Sequence, residues 1–148
     1  MTEDSTADIT IDAGPSSTRV ARELGLADEE LQAAIDAFRR ARRLPWRDFF
    51  GFSSRADVGA EEIHVRHGLE ALLSAERHVS RAASTVTCVS PDDPARTRFE
   101  PTVRALDDQF KSILSDLRVH PDPSRMVTSL KRARRIIPQG DVRRHLRG

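Results

Sequence analysis

Apolar residues recur along this chain at three- and four-residue steps and never in sustained single alternation, a period that predicts α-helices and no strands. The clearest stretch runs from about residue 60 to residue 87. There Val65, Leu69, Leu72, Glu76, Val79, Ala83 and Val86 follow a 4-3-4-3-4-3 spacing suited to close helix packing, with the Glu76 charge interrupting it. VSPDDPART ends this helix, and Pro101 starts the next, which carries Val103, Leu106, Phe110, Ile113 and Leu117 at 3-4-3-4. Two matched seams joined by a loop of about a dozen residues predict an antiparallel helical hairpin. Leu72, Val79, Leu106, Phe110 and Ile113 are expected at the centre of its core.

Three further helices are expected. A short one runs from about Ser17 to Leu24, with Ser16 or Ser17 as cap and Gly25 placed to end it in a left-handed turn. The next opens at Asp28 and runs to about Leu44, with Leu31, Ala34, Ile35, Phe38 and Ala41 as its stripe and Pro45 as its stop. After the break at His120-Pro121-Asp122-Pro123, the last runs from about Ser124 to Ile137. It puts Met126, Leu130, Ala133 and Ile137 on one side and Arg125, Lys131, Arg132 and Arg135 on the other. The expected fold is therefore all-α, a compact bundle of about five helices. Residues 1–16 read as a disordered acidic lead-in, 17–137 as the bundle domain and 138–148 as a basic tail. Trp46, Phe49, Phe50 and Phe52 crowd into residues 45–58, where rings are expected to plug the end of the bundle, the functional alternative being a stacking platform for bases.

Composition narrows the class. At 148 residues the chain is one domain, and with six Phe, one Trp and no Tyr its core must come from Leu, Ile, Val and Ala. Such a core is thin for the length, which favours docking onto a partner or a second copy of the chain, so a homodimer fits. The lone Cys88 cannot form an internal disulfide. No apolar run approaches the ~20 residues that span a bilayer, and the polar start lacks the features of a signal peptide. A cytoplasmic protein with no membrane partner is expected.

Charge changes the picture most. Of 24 basic residues 22 are Arg, and 13 of the 24 fall in two runs, residues 38–47 and 125–148. Those runs carry +5 and +7, whereas residues 1–37 carry −7 and residues 48–124 carry −4, so the net +1 conceals a segregated molecule. Arg suits bidentate contact with phosphate or carboxylate, and although codon usage explains an Arg bias equally well, it does not explain clustering. Helix-end dipole chemistry accounts for part of the first run, but the second exceeds what capping requires. The candidate nucleic-acid-binding residues are Arg39, Arg40, Arg42, Arg43, Arg132, Arg135, Arg143 and Arg144. They would hold phosphate backbone without reading bases.

Other chemistries find little footing. Ala21, Gly25 and Leu31 have helix-turn-helix spacing, but Asp28-Glu29-Glu30 would turn three carboxylates toward phosphates. Glu61, His64, His67 and His78 share a helix, yet no second Glu-x-x-His completes a di-metal set, so no metal or other cofactor is expected. Cys88 lies where a helix dipole disfavours its thiolate, and no serine sits in a nucleophile elbow, so no enzyme is expected.

In order along the chain, AIDAFRRARRLPW, EEIHVRHGLEALLSAERH, RTRFEPTVRALDDQFKSIL and MVTSLKRARR followed by DVRRHLRG resemble the small helical subunit of type I CRISPR surveillance complexes of the Cascade kind. The resemblance covers most of residues 31–148, but the tryptophan-bearing C-terminal motif expected of that family is missing, with Leu146 where it would lie. The resemblance implies an antiviral-defence role, supporting guide RNA or displaced DNA inside a larger assembly. The residues lead to a similar place: a non-enzymatic accessory protein that binds nucleic-acid backbone, as a subunit of a complex. The rival is a protein-interaction adaptor, antitoxin-like or regulatory, whose basic helix docks on an acidic partner.

Overall fold

Counting three and four residues alternately back from Ala41 picks out Phe38, Ala34, Leu31, Ala27, Leu24 and Val20, and in the computed structural model all seven are buried along one unbroken helix, α1 (Gly14–Arg42). The structure describes residues 14–42, 55–119, 122–140 and 142–143, without the side chains of Arg42 and residues 55–62. These residues form α1, α2 (Arg55–Cys88), α3 (Pro94–Val119) and α4 (Pro123–Ile136), with a further helical turn after α4 and no strand among them. Four long helices replace the expected five because the first two are one. The acidic lead-in up to Ala13, Arg43 and the cluster of Trp46, Phe49, Phe50 and Phe52 lie outside the described residues.

Gly25 does not end a helix, and Asp28 does not begin one; both lie inside α1, whose only positive φ is Gly14 at its start (68°). The helix-turn-helix spacing therefore has no turn. A glycine inside a helix costs about 1 kcal/mol relative to alanine, whereas burying one leucine gains about 1.5–3 kcal/mol. The seam passes Gly25 in phase, so an unbroken helix keeps both Leu24 and Leu31 buried.

The same alternation of large and small side chains governs α2. Its buried seam is Gly68, Leu72, Ala75, Val79, Ala82 and Val86, and it shares only Leu72, Val79 and Val86 with the expected one. Leu69, Glu76 and Ala83 give way to the small residues one position earlier, and Glu76 is left on the flank, half-buried. Small residues win because α1 comes close. A Cβ on Gly68 would fall 2.7 and 2.8 Å from two ring carbons of Phe38. Contacts of Phe38 with Gly68 and of Glu23 with His78 show that α1 and α2 run antiparallel, and theirs is the most extensive packing between helices, ahead of the α2–α3 pairing. Gly68→Ala is expected to lower stability by about 1 kcal/mol, because an overpacking cost of about 1–3 kcal/mol outweighs the helix-propensity gain. Urea unfolding checks it, and Phe38→Leu in the same chain should restore part of the loss.

α3 starts seven residues earlier than expected. Asp93 caps it, its Oδ1 accepting from Ala95 N at 2.8 Å, and Pro94 occupies the first turn, where no amide donor is needed. Pro101 lies inside the helix and is exposed, and the connection shrinks to residues 89–93. Phe99, Val103, Leu106, Phe110 and Ile113 point into the core shared with α1, α2 and α4. Gln109 Nε2 donates to Ser129 O and Arg125 pairs with Asp116, so α3 and α4 are antiparallel.

Candidate nucleic-acid interface

α4 repeats the Asp-Pro start. Asp122 Oδ1 accepts from Ser124 N at 3.0 Å, and Pro123 follows at the first helical position. Met126, Val127, Leu130 and Ala133 are buried, and the strongly one-sided apolar stripe leaves Arg125, Lys131, Arg132 and Arg135 exposed. At the far end Ile137 turns extended, with ψ 121°, and Pro138 forbids a continued helix. The chain then makes one more helical turn, closed by Val142 N donating to Pro138 O at 3.0 Å, with Ile137 and Val142 both buried.

That turn folds part of the basic tail back. Lys131, Arg134, Arg135 and Arg143, with Ile137 and Gln139, line one open cleft of about 420 Å³. Arg134 is already engaged: its Nε and Nη2 donate to the two oxygens of Asp28 on α1 at 2.8 and 3.2 Å, and its Nη1 donates to Gln32 Oε1. Gln32 in turn donates to Asp36 Oδ1 at 2.9 Å. The hydrogen bond to Asp28 holds the Arg134 pKa above its ordinary value, against a smaller opposing effect of burial. A cation stabilised this way contributes fully below its unfolded pKa and loses the contribution only as pH rises through the folded one, in strong alkali. Lys131, Arg135 and Arg143 have no acidic partner among the described residues, so their charge is available to a ligand.

Of the residues expected to bind, Arg135 and Arg143 meet in this cleft, and Arg132 is exposed on the same helix outside its lining. Arg39, half-buried, and Arg40, exposed, sit in the last turns of α1. The Arg42 side chain, Arg43 and Arg144 lie outside the described residues, as does the Glu61 side chain. His78, from the same histidine set, is taken up by Glu23 at 3.0 Å.

Arg134 was not singled out by its sequence, since a position in the last turn of a basic helix is ordinary and its partner is 106 residues away. Its bidentate clamp fixes the end of α4 against α1. Asp28→Ala is expected to cost about 1–2 kcal/mol, above the exposed-pair range because Asp28 is only 15% exposed. Thermal unfolding of the variant checks this.

The chain matches no protein-family model, no curated protein and no solved structure. The described residues form an all-helical fold with a basic cleft where α4 meets the turn that follows. Among the described residues no helix is long and apolar enough to cross a membrane.

Proposed function

We propose that this chain is a non-enzymatic accessory protein that holds nucleic-acid backbone in the cleft between α4 and the following turn, as a subunit of a larger nucleoprotein complex. The observation that carries this reading is the convergence of Lys131, Arg135 and Arg143, none with an acidic partner among the described residues, on one open cleft. Phosphate oxygens accept well from Arg, often in bidentate fashion, and a backbone offers them at regular spacing. Lys131, Arg135 and Arg143 are long and exposed, and no aromatic ring lines the cleft, which suits backbone contact over stacking on bases. Arg39, Arg40, Arg42 and Arg43 would extend the grip from the end of α1, and Arg132 and Arg144 would add to that of α4. In this arrangement α2 and α3 form the antiparallel hairpin of their matched seams and serve as the rigid support. The resemblance to small subunits of CRISPR surveillance complexes agrees with such a role in antiviral defence.

The test is a salt titration with single- and double-stranded DNA and RNA of unrelated sequences. Affinity should fall steeply and linearly on logarithmic axes and differ little between sequences of one type. Absence of binding at low salt would overturn the reading, and capture of an acidic protein in its place would move the chain to the adaptor class.

A further inference from the structure

A second basic cleft opens beside the α1–α2 seam. It has a volume of about 380 Å³ and is lined by Arg19 and Glu23 of α1 and by Ser80, Arg81, Ser84 and Thr85 of α2. Glu23 is the only acid in that lining, and it is occupied: its Oε2 lies 3.0 Å from His78 Nδ1, with side chains only 14% and 16% exposed. Thr85 is also committed, donating to Arg81 O at 3.1 Å. Arg19 and Arg81 are exposed and have no acidic partner among the described residues, and the exposed Ser80 and Ser84 add two hydroxyls. Two guanidiniums and two hydroxyl donors around one opening suit a ligand made of acceptor oxygens carrying negative charge.

The position of this cleft gives it a consequence. Arg19 precedes Asp28 by nine residues, about two and a half helical turns, so the two project from opposite sides of α1 and are separated by about 14 Å along its axis. Asp28 is where α1 grips Arg134 of the α4 cleft. The two basic clefts therefore face away from each other across α1.

We propose that the Arg19–Arg81 cleft is a second phosphate site and that the chain joins two separate nucleic-acid backbones, one on each side of α1. This rests on the α4 cleft being the first site. In the test, one duplex is immobilised, a second duplex of unrelated sequence is fluorescent, and the full chain is added at low salt. Co-capture reports joining, and anisotropy with a single duplex reports simple binding. Arg19→Glu with Arg81→Glu should lower co-capture by about 10-fold or more while leaving single-duplex affinity within about 3-fold, since the α4 cleft is untouched. Both positions are exposed, and Arg19→Gln with Arg81→Gln repeats the measurement with a milder change should the reversal unfold the chain, which circular dichroism would reveal. Unchanged co-capture by the folded variants would overturn the proposal and assign joining to self-association of chains with one site each. Binding of single duplexes without any co-capture by the unaltered chain would overturn it as well. Failure of the first site shows differently, as unchanged single-duplex affinity after Arg135→Glu with Arg143→Glu.

Discussion

Phe110→Ala should remove about 3–5 kcal/mol of stability, the range for emptying a buried aromatic site. Phe110 is 2% exposed on α3 and belongs to an apolar cluster that all four helices share. A loss that large consumes much of the ~5–15 kcal/mol typical of a domain, and the variant should be largely unfolded or aggregated at moderate temperature. Arg143→Ala removes a side chain that is exposed, and it should leave the melting temperature unchanged. Urea unfolding followed by circular dichroism compares the two. A tolerated Phe110→Ala beside a destabilising Arg143→Ala would invert the assignment of core and surface.

The fold was legible where local signals agreed. α4 has a break, a capping Asp, a first-turn Pro and an apolar stripe in phase, and its expected span of about Ser124 to Ile137 matches Pro123–Ile136. α1 was misread because two rules of local chemistry, glycine as a stop and a run of acids as a start, point to a boundary at Gly25–Asp28. The continuity of Val20, Leu24, Ala27 and Leu31 across that point contradicts both, and tertiary burial outweighs the propensity of one glycine. In α2 three seam positions hold, Leu72, Val79 and Val86, while Gly68, Ala75 and Ala82 replace Leu69, Glu76 and Ala83 for a related reason. Ranking positions by hydrophobicity favours Val65 and Leu69, but an approach close enough to set Phe38 over Gly68 requires small residues at the contact. In α3, Pro101 mimics a helix start, whereas the true one is Asp93-Pro94, the same start that α4 uses.

The candidate site was legible in composition and only partly in geometry. Clustering of Arg in residues 125–148 marks the segment that lines the α4 cleft, but the sequence places Arg143 in a basic tail, whereas Val142 anchors it beside Arg135 through one helical turn after Pro138. Segment charge does not reveal which cation is already taken, and Arg134 is taken by a carboxylate on the first helix. The second cleft leaves no mark in the sequence, because Arg19 and Arg81 are isolated along the chain and come together only through the antiparallel α1–α2 pairing.

Arg135→Glu combined with Arg143→Glu should reduce nucleic-acid affinity by about 100-fold at low salt, taking each lost phosphate contact as about 1.4 kcal/mol. The reversed charges also repel phosphate, so the effect should exceed that of the matching alanine pair. Neither residue is buried or paired within the described residues, so the loss should come without a change in melting temperature. Reversing Arg104, exposed on α3 and paired with Glu100, should change affinity much less.

Lys131, Arg135 and Arg143 are proposed to touch backbone phosphates directly, and the salt slope of binding measures this. Each contact that is lost removes about 0.9 from the slope of log K against log salt concentration on duplex DNA, so replacing all three by Ala should flatten it by nearly 3. A slope unchanged by that triple replacement, in a protein that still binds, would contradict the account and place the nucleic acid elsewhere on the molecule.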